Sequence, residues 1–290
     1  MAKVTLIESV HSANSIFHFM RKPGYLEHAL REKRLVPRYC PEDIEYLGFL
    51  FNGGMVEKVA VLELCFCDIR LHSIPRSFLV EKSAGGETTV EWETHTKLYG
   101  EYGIAFSKKW ALSHNLQPVH YVNIESDELA LFRDALTFAT AADDLDDSIA
   151  EELISRFCYM KPVTGKMLRT EEKDEPVCYK KNFQDECEWR FVPSTKALVN
   201  TEKERVIFDP ISKAEVDAIS SNFDEETICH ISLDFDYDDI QYIVVPNSSA
   251  RDSLIKYMST ELGISENEDV MCKSRLISKI LLLDELRKDM

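Results

Sequence analysis

Two carboxylates one residue apart, Glu186 and Glu188, stand beside Asp185 and Arg190 in the stretch NFQDECEWRFVP, Asn182–Pro193. Strand interiors are depleted in Asp and, less strongly, in Glu, yet Trp189, Phe191 and Val192 give this stretch the pattern of a strand. On a strand, alternation puts Glu186, Glu188 and Arg190 on one face. Carboxylates so close repel, which raises the pKa of one of them. Two readings follow. Either the pair works on a ligand from a rigid strand, or Arg190 pairs with Glu188 and keeps both acids ionised.

Three further groups carry polar chemistry. His18 lies in SIFHFM between two phenylalanines, where it is either a core histidine bonded to a backbone carbonyl or a donor to a ligand hydroxyl. Tyr99, Tyr102 and Ser107 fall in HTKLYGEYGIAFSKKW, in which Gly100 and Gly103 permit close backbone approach or an irregular turn. The alternative is a turn with packed tyrosines. His95 opens that stretch and is expected at a surface or cleft edge.

The elements that must position these groups are short and mixed. SIFHFM alternates as a strand, and KPGYLEHALREKR follows as a helix with Pro23 in its first turn. PEDIEYLGFLF reads as a second helix, and KVAVLELCFCDI (58–69) as a central strand. AGGETTVEWETH reads as a loop leading to a short helix or turn. Tyr102–Ser107 reads as a strand, with Ser107 capping the helix after it. Residues 126–160 read as two acidic helices that break near Asp143–Asp147, and 163–177 as a loop. The later segments KERVIFD, DIQYIVVP and EDVMC read as strands; SKAEVDAISSNF, SARDSLIKYMSTEL and SRLISKILLLDELRK read as helices. The connections lack the regular alternation of a doubly wound sheet. An α+β fold is predicted, as a single domain over 1–290 with a helical acidic insertion at about 126–160 and a C-terminal strand–helix extension at about 238–290.

Composition narrows the function classes. The 290 residues carry 34 Lys and Arg against 51 Asp and Glu, a formal charge of −17. Such a surface repels phosphate backbones unless its bases cluster, so nucleic acid is not a default partner. No apolar run is long enough to span a membrane. The first residues lack the features of a secretory signal. With eight scattered cysteines, these point to reduced thiols and a cytoplasmic protein. Cys65 and Cys67 have one intervening residue, against the two to four usual at zinc sites, so no metal is predicted. VTGKML lacks the glycine and the Ser or Thr of a P-loop, no G-x-S-x-G is present, and SLDFDYDDIQ lacks the glycine and distal Glu of a calcium loop.

Taken in order, IFHFMRKPGYLEHALREKRLVPRYC, CFCDIRLH, HTKLYGEYGIAFSKKWALSHNLQPVHYVN, DECEWRFVP and DIQYIVVP resemble the AbiGi family over about residues 15–250. Those bacterial abortive-infection proteins carry the label of the antitoxin partner in an AbiGi/AbiGii pair. The resemblance implies anti-phage defence, a cognate toxin or antitoxin as partner, and a phage component as trigger. A more distant similarity is to ADP-ribosyltransferase folds, including DarT-like enzymes, through the order histidine strand, helix, Tyr/Ser strand and glutamate strand. It implies an ADP-ribosyltransferase-like mixed sheet core with flanking helices, and NAD as cofactor. In that scheme His18 holds the ribose. Tyr102 or Ser107, with Tyr99 nearby, meets the nicotinamide. Glu188 is the catalytic glutamate, binding the ribose hydroxyl and stabilising the oxocarbenium-like charge as nicotinamide leaves, and Glu186 orients or deprotonates the accepting nucleophile. The sequence departs from that pattern at Met20, where Thr is common, and in REKRLVP, which lacks the expected glycine. Nucleic acid then enters only as a modification target. The second function class is a non-enzymatic antitoxin whose acidic surface covers a basic toxin.

Overall fold

The computed structural model describes residues 13–51, 53–141, 147–170, 176–199, 201–208, 212–262 and 270–288. The elements that build the candidate site are β1 (Ser15–Met20), α1 (Pro23–Glu32), β2 (Arg38–Asp43), β3 (Lys58–Cys67), β4 (Ser77–Ala84), β5 (Glu87–Thr94), α2 (His95–Tyr99), β6 (Tyr102–Ser107), α3 (Lys108–Ser113), α4 (Asp127–Ala141), α5 (Asp147–Phe157), β7 (Thr164–Thr170), β8 (Pro176–Asn182), β9 (Glu188–Phe191), β10 (Ile240–Val245), α6 (Ser248–Thr260) and β11 (Ile280–Leu282).

The main sheet runs Gln117–Pro118, β9, β3, β1, β6, β10, β11. The strands β2 and Val206–Phe208 pair with the first half of β3. Its pairings are antiparallel except β10 with β11. This is a mixed sheet with flanking helices, an α+β architecture. The long apolar β3 is central because it is buried on both faces, as its near-continuous apolar sequence demands. Pro23 at the start of α1 and the buried stripe Leu26, Ala29 and Leu30 seat that helix on the sheet. A second, four-stranded antiparallel sheet runs β7-β8-β4-β5.

One pairing shapes the site. β1 matches β6 along its whole length, Ser15↔Ser107 to Met20↔Tyr102. Against β3 it makes a single match, Phe17↔Cys67. The two strands therefore diverge beyond Phe17, and a cleft opens between them.

Several expected elements fold differently. Asn182–Pro193 is not one strand: Phe183–Glu186 is a 3₁₀ turn, Cys187 is left-handed at φ 44, and the strand begins at Glu188. Residues 164–170 and 176–182 pair as strands where a loop was expected. AGGETTVEWETH is the turn and second strand of the β4–β5 hairpin, closed by Gly85 and Gly86 at φ +57 and +83, a pair suited to a tight two-residue turn. PEDIEYLGFLF divides between β2, a 3₁₀ turn at Glu45–Leu47 and a short strand, Leu50–Phe51. Val270–Cys272 is the start of a helix ending at Ser278, and Ile280–Leu282 leaves the expected C-terminal helix to pair with β10. In every case but Val270–Cys272, a partner strand or a turn overrides local periodicity. The acidic helices form on both sides of the expected break, of which residues 142–146 lie outside the described residues.

Candidate active site

A cleft of about 680 Å³ lies at the split between β1 and β3 and extends toward the second sheet. It is lined by His18, His95, Tyr99, Glu186 and Glu188, together with Lys161, Cys65 and Phe183. Four of the six residues singled out from sequence thus meet in one cavity. Tyr102 and Ser107 do not line it. Tyr102 lines a separate cavity of about 360 Å³ between α1 and the start of α6. Ser107 caps α3, its hydroxyl accepting from the Trp110 backbone N–H at 3.1 Å. The two sit at opposite ends of β6, about 16 Å apart at ~3.3 Å per residue, so they cannot share one ligand group.

His18 spans the split. Its Nδ1 lies 2.8 Å from the Cys65 carbonyl oxygen. A carbonyl only accepts, so Nδ1 carries the proton and Nε2 keeps its lone pair. Burial lowers the pKa of the ring, against the smaller opposite effect of that hydrogen bond, and leaves it neutral. His18 therefore makes the backbone bond of a core histidine while remaining on the cleft wall. His95, expected at an edge, is buried. It packs between Phe19 and Tyr99, at ring distances of 5.3 and 4.6 Å, and burial holds its pKa down to about 4.

Glu186 and Glu188 do converge, but through the left-handed Cys187 and not by strand alternation. Both are 4% exposed. Lys161, on the short strand Met160–Pro162, bridges them, its Nζ lying 3.2 Å from Glu186 and 2.8 Å from Glu188. Arg190 Nε donates to Glu188 at 2.8 Å, and its Nη2 donates to Glu42 at 2.9 Å. Lys181, on β8, donates to Glu186 at 2.7 Å and to the Tyr99 hydroxyl at 3.1 Å, while that hydroxyl donates to Glu186. The Glu188 backbone N–H is pinned by the Tyr121 hydroxyl at 2.8 Å.

The balance of burial and pairing sets the charges. Burial alone would raise both carboxyls. Arg190 and Lys161 outweigh it at Glu188, and Lys161 and Lys181 at Glu186, so both pKa values lie below the ordinary carboxylate range. Burial would likewise lower Lys161, but Glu186 and Glu188 hold it well above its ordinary value. Burial lowers Lys181 against the pull of Glu186. It also raises Tyr99 well above its usual range, with Glu186 adding to the effect. Glu63 behaves differently. Burial pushes its carboxyl well up despite Arg190. Its Oε2 lies 3.0 Å from Arg190 Nη1 and has no hydrogen-bond partner, while Nη1 donates to the Cys158 carbonyl.

Glu63, Cys65 and Glu188 have ligand atoms within 4.8 Å of one another. These donors do not fit a metal. The Arg190 guanidinium already pairs with Glu188, burial raises the Glu63 carboxyl well above its ordinary range, and Cys65 is held as a thiol, its pKa raised by its hydrogen bond to Cys40 and by burial.

Chemically, the site offers two ionised acceptors fixed in place, a neutral imidazole, a phenol and an aromatic wall. Ionised Glu186 and Glu188 have little affinity for protons, so they are suited to orienting a ligand and stabilising positive charge, and poorly suited to general-base work.

Two comparisons bear on identity. Residues 88–246 match the family described as "Putative abortive phage resistance protein AbiGi, antitoxin". The Abortive phage resistance protein AbiGi of Lactococcus lactis subsp. cremoris is 30% identical over 268 residues, covering 88% of this chain and 98% of that protein. The chain belongs to the AbiGi family. The AbiGi match spans both β9, with its glutamate, and the acidic helices, but it starts after β1 and so leaves out His18. No solved structure matches this AbiGi chain. Sequence reasoning missed Lys161 and Lys181, two of the cations that organise the site. Both stand in ordinary surroundings, YMKPV and CYKKNF, and carry no local signal. Among the described residues, no helix is long and apolar enough to cross a membrane.

Proposed function

We propose that this protein acts in abortive phage resistance, and that its cleft binds NAD as the donor for ADP-ribose transfer to a macromolecular target, on an ADP-ribosyltransferase-like fold. The observation that carries this reading is the convergence of His18, Tyr99, Glu186 and Glu188 on one cavity at a split in the central sheet. Its volume falls in the range of small-ligand pockets, roughly 300–1,000 Å³. The aromatic wall of Phe19, His95 and Tyr99 suits a flat nicotinamide, and Tyr99 takes the place expected of Tyr102 or Ser107. The His18 Nε2 lone pair accepts from a ribose hydroxyl. Ionised Glu188 faces the positive charge that develops on the ribose as the bond to nicotinamide breaks and its electrons leave with the ring nitrogen. Lys161 and Arg190 hold that carboxylate in one orientation. Glu186, locked by Lys161 and Lys181, fixes the Tyr99 hydroxyl and orients the incoming nucleophile.

The test is calorimetry with NAD on the full chain, with released nicotinamide followed in the same sample. Wild type is expected to bind saturably, His18→Ala to bind more weakly, and Glu188→Gln to bind while losing release by about two orders of magnitude or more. Absence of binding at roughly 1 mM NAD, a concentration that detects even weak complexes, sinks the reading.

A second reading, a non-enzymatic antitoxin that neutralises a partner toxin by binding it, is favoured by the printed family description and by the acidity of the chain. Under it, Glu188→Gln keeps full neutralisation as long as the fold survives.

A further inference from the structure

The helical pair α4–α5 carries more charge than its share. Residues 125–157 hold ten Asp and Glu against two Arg, a net −8 of the −17 of the whole chain. The same region exposes large apolar side chains. Leu129 and Leu136 of α4, seven residues apart, face the core and are 4% and 1% exposed. Leu131 and Phe138, also seven residues apart, lie on the opposite side of the helix and are 71% and 64% exposed. At 100° per residue the two stripes are about 160° apart. The core uses one of them, and the second has no structural employment. A small pair of strands flanks α4 at Thr137, about 100° around the helix from Phe138. The backbone N–H of Leu50 donates to the Thr137 hydroxyl on α4, and Leu50 and its cross-strand neighbour Met55 are both exposed. On α5, Ile149 is also exposed.

An exposed apolar stripe on a helix marks an interaction site. The charge beside it selects the occupant. Among the described residues of 125–157, six exposed acids stand against two arginines. A second copy would set acids against acids, and nucleic acid or an anionic membrane would be repelled in the same way. We propose that this face, the outer stripe of α4, docks a cationic protein that covers Leu131 and Phe138 with apolar side chains and meets the neighbouring carboxylates, Glu128 and Asp134 among them, with Lys and Arg. The proposal gives the partner-binding reading a surface and is independent of nucleotide binding in the cleft.

The experiment places a photo-crosslinking amino acid at 131, at 138 and, as control, at Val90, which is 68% exposed on β5 at the edge of the second sheet. The full protein is expressed in the cells it comes from, with and without phage. The expected adduct forms at 131 and 138 and not at 90, and joins the chain to a protein of net positive charge. That protein, purified, should bind wild type with an affinity that falls as salt rises, and should bind Leu131→Asp and Phe138→Ser about tenfold or more weakly. Both variants should retain the NAD behaviour of wild type, so failure here and failure in the cleft are separable. Four results overturn the proposal: no adduct above the control, an adduct with a second copy, an adduct with an acidic protein, or unchanged affinity in both variants.

Discussion

The cleft and the acidic helical pair handle charge in opposite ways. In the cleft, Glu42, Glu186, Glu188 and three cations are packed together largely out of water and each has a partner of opposite charge, while burial raises the carboxyl of Glu63 beside them. On α4–α5 the described acids Asp127, Glu128, Asp134, Glu151 and Glu152 are exposed, and the sequence from 125 to 157 carries a net −8. The difference follows from solvent. An unpaired buried charge costs several kcal/mol, so the interior tolerates Glu186 and Glu188 only with Lys161, Lys181 and Arg190 around them. A surface carboxylate has no such requirement, and its field reaches outward to about the Debye length, roughly 8 Å at physiological salt. Paired charges give a fixed geometry that a ligand can use; unpaired ones steer a partner.

The contrast can be broken most severely at Arg190. Arg190→Met leaves Glu188 and Glu42 without their guanidinium, and the expected loss is on the order of 3–5 kcal/mol, read from urea unfolding. A loss below about 1 kcal/mol would mean that the network is wet and not a buried assembly.

The next effect is a pH dependence. Below its ordinary pKa of 6.5, His95 of the unfolded chain takes a proton while the folded residue stays neutral to about pH 4. The unfolded state then binds more protons, so stability falls as pH drops through that window, by on the order of 3 kcal/mol at most. Glu186 and Glu188 act in the same direction at lower pH. Their folded pKa values are depressed, so the stability they contribute is present above the ordinary carboxylate pKa and is lost as pH falls through the folded values. Urea midpoints measured from pH 7 to 4.5 should decline in wild type and less steeply in His95→Phe, the remaining slope being carried by His18, which burial also keeps neutral. Equal slopes would remove His95 as the cause.

A finer distinction lies inside the network. Glu63 is raised by burial and makes no hydrogen bond from Oε2, so Glu63→Gln should cost less than about 1 kcal/mol. Glu188→Gln, which removes a charge paired with two cations, should cost about 2 kcal/mol or more. Thermal melts of the two variants rank them directly, and a reversed order would mean that Glu63 is ionised. The smallest effect belongs to the outer face of α4. Leu131→Asp, exposed and outside the core, should leave stability within about 0.5 kcal/mol of wild type, which is why its effect on partner binding can be read without a folding artefact.

Much of the site was legible in the sequence because its groups break local rules. A histidine in an apolar strand and an E-x-E motif ahead of Trp189 are unusual enough to notice. Tyr99 was legible beside Gly100, whose φ of +129 and close approach to the Met20 carbonyl leave no room for a side chain. Lys161 and Lys181 were not legible. A lysine in a short polar context reads as surface, and only the meeting of two distant strands with the Glu186 turn makes either one buried.

By itself the sequence determined what depends on near neighbours. It marked β1, the long apolar β3, the capped helix after β6 and the acid-rich pair α4–α5, because periodicity and capping act within one or two turns of chain. The tertiary structure decided what depends on contacts across the chain. It paired Thr164–Thr170 with Pro176–Asn182 where 163–177 reads as a loop, moved Ile280–Leu282 into the sheet, sent Tyr102 to a second cavity, and placed three cations around two glutamates. The physical reason is the same in each case. Strand pairing and buried charge compensation are long-range agreements between segments, and no single segment carries the information that its partner will be there.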